Sequence, residues 1–188
     1  MLLCGACGGP SSTAGPEPAA GGTSSGEVAV PSGDEGESPE GDPAPPAMQG
    51  LLAAHDRVRA QHCAPPLTWS AELAATAQEW ADGLVARGCV LEHSRSTLGE
   101  NLAMATTGAL DAESAVQQWY REHERYRYRP GGFSMETGHF TQVVWVGTRT
   151  LGCGTATCQG MEIWVCNYDP PGNVEGEYRT HVLPTSCR

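Results

Sequence analysis

Apolar positions follow a helical period in three segments of the chain. The clearest stripe lies in residues 70–88 and consists of Leu73, Ala77, Trp80, Ala81 and Leu84. This spacing predicts an amphipathic helix, and Ser70 is its expected N-cap. Similar stripes predict helices over residues 51–62 and 111–126.

After residue 138 the period changes from helical to alternating. In "HFTQVVWV" the alternation predicts a strand that carries on one face His139, Thr141, Val143 and Trp145. The segments "TLGCG" and "MEIWVCNY" flank the turn "TCQG" and predict a β-hairpin. Helices first and strands last predict an α+β fold, in which helices pack on an antiparallel sheet.

The beginning of the chain lacks either period. Residues 8–47 are mostly Gly, Pro, Ser, Ala and acidic residues, so they predict a disordered linker that cannot bury enough apolar surface to fold. The folded domain is then residues 48–188. Residues 1–7 resemble the end of a truncated lipoprotein signal, unless the resemblance is chance. They make Cys7 or Cys4 a lipidation candidate and favour a bacterial cell surface or exterior.

Charge excludes one class of function. The formal net charge is −11, and residues 1–48 hold seven of the 22 acidic residues and none of the 11 basic ones. No basic patch is evident in the domain, so no nucleic-acid partner is predicted. No stretch approaches the roughly 18–20 apolar residues that span a bilayer. We therefore expect contact with membranes only through a lipid anchor, and we also expect a monomer.

The cysteines predict an oxidising compartment. Eight are present, and the six in the domain are Cys63, Cys89, Cys153, Cys158, Cys166 and Cys187. An even set behind a low-complexity leader is typical of a disulfide framework. Zinc held by cysteine is the alternative, but the one short pair lacks the CxxC spacing of such sites.

Four residues have the chemistry of a metal site. They are His93 in "LEHS", Glu100 in "LGEN", Glu122 in "WYREHE" and His139 in "GHFTQ". Imidazole and carboxylate are zinc ligands, but these residues are scattered and their spacing alone does not unite them. Since a lone histidine is more often structural, that role is assigned to His55, His62, His123 and His181.

Five motifs in order give the domain a family resemblance. "GHFTQVVWVGT" and "IWVCNYDPPGNV" resemble the two signatures of the CAP superfamily (SCP/TAPS), and "LEHS", "GENLA" and "WYREH" match its other landmarks. This family includes cysteine-rich secretory proteins, antigen 5 and class 1 pathogenesis-related proteins. The resemblance covers residues 51–178, and the chain is identified as a bacterial member.

The resemblance implies a three-layer α-β-α sandwich with a central antiparallel sheet, stabilised by disulfides. It also implies a cleft lined by His93, Glu100, Glu122 and His139. In the family the two histidines bind a divalent metal, commonly zinc, with the acids nearby, and the fold does not require that metal.

The resemblance also implies a disulfide pattern. It joins Cys89 to Cys158 and Cys153 to Cys166. This leaves Cys63 and Cys187, which we predict to pair and so to fasten the C-terminal tail to the end of the first helix.

Three functions are consistent with these residues. The favoured one is a secreted or surface-tethered binding module whose cleft takes a metal and a small ligand, a lipid or sterol, or a protein partner. The first alternative is a zinc-assisted hydrolase or protease with Glu100 or Glu122 as the general base, although no HExxH helix is present. A metal-free nucleophile, Ser94 beside His93, is disfavoured because adjacent residues seldom face each other. The second alternative is a structural or defence-type surface protein.

Overall fold

The computed structural model of the chain describes residues 41–185. Within them the elements follow the order α1 (Pro46–Gln61), β1 (Thr68–Trp69), α2 (Ala71–Ala86), β2 (Gly99–Thr106), α3 (Ala112–Tyr120), a 3-10 helix (Arg121–Arg125), α4 (Gly138–Val143), β3 (Thr150–Cys158), β4 (Met161–Asp169) and α5 (Tyr178–His181). The α+β fold is confirmed.

The sheet lies between two helical layers. Its strand order is β1-β3-β4-β2, and β4 pairs antiparallel with both β3 and β2, while the two-residue β1 joins β3 in parallel. Apolar residues of α1, α3 and α4 pack with one set of strand residues, and those of α2 pack with another. These two cores on opposite sides of the sheet confirm the three-layer α-β-α sandwich.

Helix α2 lies directly on the backbone of β3. A Cβ at Gly152 would come within 2.1 Å of the Ala74 nitrogen, so glycine permits the close approach. Ser70 caps the helix, because its hydroxyl accepts from the Leu73 N–H at 3.2 Å. The helix thereby fixes the start of the loop that carries His93.

The predicted strand after residue 138 is wrong, because α4 occupies Gly138–Val143. The reason is a capping group that comes from elsewhere in the chain. Glu122 Oε2 accepts from the N–H groups of His139 and Phe140 at 3.0 and 3.1 Å. These are amides of the first turn, which have no partner inside a helix, and a carboxylate there also complements the helix dipole.

The predicted hairpin is present as β3 and β4. Its turn residues Gln159 and Gly160 both have positive φ, 52° and 79°, as a two-residue type I′ turn requires.

Strand β2 had no counterpart in the sequence-based prediction. Its sequence "GENLAMAT" contains few β-branched residues, and the strand forms because all eight of its residues pair with β4.

The first described helix begins two residues before the predicted start of the domain at residue 48. Helix α1 begins at Pro46, and Asp42 Oδ2 accepts from the Ala71 N–H at 2.8 Å, so the last part of the predicted linker packs on the domain. The rest of that linker, and the leader with Cys4 and Cys7, lie outside the described residues.

Two disulfides join described residues. Cys89, just beyond α2, is bonded to Cys158 at the end of β3. Cys153 is bonded to Cys166, its directly opposite neighbour on β4. Cys63 is also disulfide-bonded. Its predicted partner, Cys187, lies outside the described residues, and that pairing stays a prediction.

A buried arginine holds the end of α1 to the segment after α4. Arg59 is fully buried and its guanidinium donates at 2.8–3.0 Å to four backbone carbonyls, those of Pro65, Val143, Trp145 and Thr148. Burial lowers its pKa to about 10, so it stays cationic at neutral pH. Lysine could not replace it, since it lacks the planar fork that reaches these carbonyls.

Candidate functional site

The first half of the candidate site is a carboxylate that orients a helix and its histidine together. His139, at the start of α4, donates from Nδ1 to Glu122 Oε1 at 2.7 Å. The other oxygen of Glu122 accepts the two amide N–H groups described above. Since three N–H donors engage this carboxylate, it fixes both the helix and the ring.

The second half lies at the edge of the sheet. His93, in the loop between α2 and β2, donates from Nδ1 to Glu100 Oε1, also at 2.7 Å. The same oxygen accepts from the Ser94 N–H at 2.9 Å. Glu100 Oε2 is buried and has no hydrogen-bond partner among the described residues. The His93 side chain is 58% exposed, whereas that of Glu100 is 6% exposed.

The hydrogen bonds of this second pair shift both pKa values in directions that favour the ion pair. For His93, the bond to Glu100 outweighs desolvation and raises its pKa above the ordinary 6.5. Burial alone would raise the pKa of Glu100. The bonds from His93 and Ser94 more than offset that and hold it below 4.5. The charged pair is therefore favoured in weak acid.

Both pairs meet at one cleft of about 230 Å³. His93, Glu100 and His139 line it, while Glu122 does not line it and is bonded to the His139 ring. The rim is apolar on the side of the 127–137 loop, where Phe133 and Met135 are 53% and 81% exposed. The cleft thus joins two imidazoles to an apolar surface.

Two asparagines hold the cleft in place. Asn101 Nδ2 donates to the His139 carbonyl at 3.1 Å and so ties β2 to α4. Asn173 Nδ2 donates to the Gly138 carbonyl at 3.0 Å, while its Oδ1 accepts from the Thr141 hydroxyl. Asn173 lies in the motif "IWVCNYDPPGNV" but was not among the residues that the sequence predicted for the site.

The apolar rim was also missed. Phe133 and Met135 lie in "RPGGFSMETG", a segment of glycine and polar residues with no period. Two large apolar side chains in such a segment have no core to join. That isolation was the one signal that could have indicated a binding surface.

The other four histidines have partners outside the cleft. His55 and His62 are fully buried, and their Nδ1 atoms donate to backbone carbonyls. His123 donates from Nδ1 to the Tyr120 carbonyl, and His181 stacks on Trp145 with ring centroids 4.8 Å apart. None of the four lines the cleft.

The donor set fits a metal held by two histidines rather than a closed cage. Within residues 41–185, no group of three or more His, Cys, Asp or Glu side chains is arranged to hold an ion. However, the Nε2 atoms of His93 and His139 make no hydrogen bond to any described residue. A metal-binding histidine commonly has its second nitrogen bonded to a carboxylate, and both rings have that arrangement here.

No helix within residues 41–185 combines the length and the apolar character that a membrane span requires.

The chain is similar in sequence to a family of known proteins. Residues 52–168 match CAP, the cysteine-rich secretory protein family. PRY2 of Saccharomyces cerevisiae is 42% identical over 139 residues, which cover 71% of this chain and 40% of that protein. Pathogenesis-related protein 1C of Nicotiana tabacum is 41% identical over 134 residues, which cover 70% of this chain and 79% of that protein. Secreted protein RBT4 of Candida albicans is 43% identical over 136 residues, covering 68% and 36%.

Solved structures share the fold. NaASP2, crystallised with Zn2+, is 27% identical with a TM-score of 0.57, and the match covers 82% of this chain and 91% of that one. Venom allergen-like protein 4 of Schistosoma mansoni is 24% identical with a TM-score of 0.59, and the match covers 76% of this chain and 99% of that one. The curated relatives are from eukaryotes, and they give no support to the expected bacterial origin. This chain spans less than half of PRY2 and RBT4.

Proposed function

Since this chain belongs to the CAP family, we propose that it is a secreted binding protein whose cleft holds a divalent metal, zinc in the first instance, between His93 and His139. The metal leaves positions open for a small ligand or a partner that also contacts the apolar rim. The family description and the name of the secreted relative RBT4 support the extracellular location, as do the disulfides.

The proposal depends above all on one observation. Two separate Nδ1–carboxylate bonds, each 2.7 Å long, orient two rings at one cleft and leave both Nε2 atoms without a partner among the described residues. Each carboxylate fixes the tautomer in which Nε2 carries the lone pair. The Zn2+ in the crystals of the relative NaASP2 supports the same choice of metal.

Two protein ligands favour exchangeable binding over a structural role. Structural zinc sites have four protein ligands, whereas sites with open positions take water or substrate. An ion here would supply a Lewis-acid centre for an oxygen-bearing ligand. Phe133 and Met135 supply apolar contact beside it, which suits a ligand with a polar head and an apolar body, such as a lipid or sterol.

The hydrolase alternative receives less support from the geometry. A general base must reach a proton on bound water. Both oxygens of Glu122 already accept N–H groups. Glu100 Oε1 is likewise engaged, and its Oε2 is buried. The carboxylates therefore act as positioning groups, and we do not extend the proposal to turnover.

Zinc titration of the oxidised full chain by calorimetry tests the proposal. We expect micromolar or tighter binding that weakens as the imidazoles protonate. His93→Ala and His139→Ala should each abolish it. Glu122→Gln should weaken it by about 10–100-fold, since that residue orients a ligand without being one.

His181→Ala is the matched control, because His181 lies outside the cleft and bonds within its own helical turn. It should leave the zinc affinity unchanged. Binding that survives in both cleft variants, or that falls equally in the His181 variant, would contradict the metal site. If zinc binding is confirmed, lipid and sterol binding is measured next on the wild-type protein, with and without zinc.

A further inference from the structure

A row of arginines lies on the outer face of the segment that leads into the 127–137 loop. In the sequence Arg125, Arg127 and Arg129 alternate with Tyr126 and Tyr128. Tyr126 is extended and buried, and its ring packs against that of Tyr128 with centroids 5.0 Å apart. Neighbours along an extended segment point to opposite sides. The tyrosines therefore pack on the core, and the three arginines are exposed.

These three arginines have no counter-charge among the described residues. None of them forms an ion pair or a side-chain hydrogen bond within residues 41–185, whereas Arg57 pairs with Glu113 at 2.6 Å. Residues 125–135 contain no aspartate or glutamate, although the chain as a whole has a formal charge of −11. The negative net charge thus hides a local cationic surface.

A pocket of about 290 Å³ opens beside this row. Of the described residues that line it, Arg125 and Arg127 are the charged ones, and Ser134 and Thr137 add hydroxyl groups. One hydroxyl donates to the other at 2.7 Å, which leaves one hydroxyl hydrogen to donate elsewhere. The planar fork of a guanidinium matches the oxygens of a phosphate group. The lining therefore suits a phosphate ester.

Two large apolar side chains project next to the pocket. Phe133 lines it, and both Phe133 and Met135 are exposed. The loop holds them there, because Thr137 is buried and its N–H donates to the Ser134 carbonyl at 3.1 Å. A Cβ at Gly138 would come within 2.9 Å of the Phe133 ring, so glycine allows the ring to rest on the start of α4. The exposure of this apolar surface is therefore part of the fold.

This combination favours a membrane over a soluble polyanion. Peripheral proteins bind anionic bilayers through basic residues at the headgroups and apolar side chains at the acyl boundary. A dissolved polyanion would neutralise the arginines but would leave Phe133 and Met135 in water. Glu124 and Glu136 flank the row, are exposed and line no part of the pocket. They weaken the attraction, so we expect reversible binding.

We propose that a docking surface made of Arg125, Arg127, Arg129, Phe133 and Met135 binds the domain to membranes that contain anionic phospholipids. Lipid phosphates pair with the arginines, and the two apolar side chains enter the acyl boundary. The contact requires neither a lipid anchor nor a metal in the cleft, so it goes beyond the function proposed above. Because Phe133 also lines the cleft, docking brings the cleft to the bilayer surface.

The test is sedimentation of the full chain with phosphatidylcholine vesicles that contain or lack phosphatidylserine. We expect binding only to the vesicles with phosphatidylserine, and we expect added salt to weaken it. Arg127→Gln should reduce the affinity about fivefold. The double variant Phe133→Ser/Met135→Ser should reduce it about tenfold or more. Since these side chains are exposed, both variants should keep the wild-type melting temperature.

Arg87→Gln is the matched control, because it removes the same charge from an exposed position on α2, away from the docking surface. It should bind vesicles as the wild type does. Insertion is measured with Phe133→Trp, whose added fluorescence should be quenched by phospholipids brominated in their acyl chains. A metal chelator should leave vesicle binding unchanged, so that failure of the metal site and failure of docking are distinguishable.

Three results would overturn the proposal. The first is equal binding to the two kinds of vesicle, or to neither. The second is wild-type affinity in Arg127→Gln, or an equal loss in Arg87→Gln. The third is an absence of quenching in Phe133→Trp. If dextran sulfate also binds the wild type and the Phe133→Ser/Met135→Ser variant equally, that third result would assign the arginines to a soluble polyanion.

Discussion

The two histidine–glutamate pairs have the same bond length and different supports. Glu122 is held by three N–H donors at the start of α4, and the His139 ring lies nearly parallel to that of the buried Trp119. Glu100 uses one oxygen, and the His93 ring it orients projects from a loop and is mostly exposed.

This difference separates a fixed half of the cleft from an adjustable one. The His139 half is part of the packing between α3, the 3-10 helix and α4, so it cannot move unless those elements move. The His93 half can change with little loss of core contact. A metal or ligand would therefore adapt its geometry mainly through His93.

The largest expected contrast is in stability. Glu122→Ala removes the cap of α4 and should lower the free energy of unfolding by about 2 kcal/mol. Glu100→Ala should cost less than about 1 kcal/mol, because it also removes the unpartnered Oε2. Urea denaturation measures both. Glu124→Ala, an exposed neighbour on the same 3-10 helix, is the control, and equal losses at residues 100 and 122 would contradict the contrast.

A smaller effect should appear in the pH dependence of the adjustable pair. The pKa of His93 is raised above 6.5 in the folded protein. The contribution of His93 to the free energy of unfolding is therefore complete below pH 6.5 and is lost as pH rises through that raised pKa. The pKa of Glu100 is lowered below 4.5, so its stabilisation is present above 4.5 and is lost as pH falls through the folded value. The stability difference between wild type and Glu100→Gln should therefore peak between pH 4.5 and 6.5.

The size of that peak should stay below about 0.5 kcal/mol, because the exposed His93 ring is screened by solvent. Chemical denaturation at several pH values measures it, with Glu92→Gln as the exposed control. A difference that is flat with pH would mean that the pair does not ionise as described.

The smallest effect is local. The amide protons of His139 and Phe140 should exchange slowly with solvent, and Glu122→Gln should speed that exchange, since a neutral amide accepts less strongly than a carboxylate. The Ser94 amide, bonded to Glu100, should respond in the same way to Glu100→Gln but from a faster starting rate. Equal starting rates would remove the distinction between the fixed and adjustable halves.

The sequence predicted those elements whose determinants are local. The stripe of α2 and its Ser70 cap, and the turn of the β3–β4 hairpin, depend on residues a few positions apart. Helix α4 does not, because its cap is Glu122, which lies 17 residues earlier. The alternating pattern around His139 therefore predicted a strand, and only the tertiary structure reveals the helix.

The candidate site shows the same division between local and long-range determinants. Family resemblance named all four residues, and the spacing of the residues could not have done so, because a loop, a strand, a 3-10 helix and an α-helix bring them together. Neither source indicated that Asn167 Oδ1 is buried without a hydrogen-bond partner among the described residues. "CNY" reads as an ordinary strand, and the absence of a partner is a property of the packed fold.

The bond between Cys89 and Cys158 has a consequence for how the protein is made. It anchors the start of the loop that carries His93, whereas Glu122 and Arg59 hold α4 through hydrogen bonds. A recombinant chain produced in a reducing bacterial cytosol would keep one wall of the cleft in position and leave the other loosely attached. The choice of expression host would then determine whether a preparation offers a complete binding site.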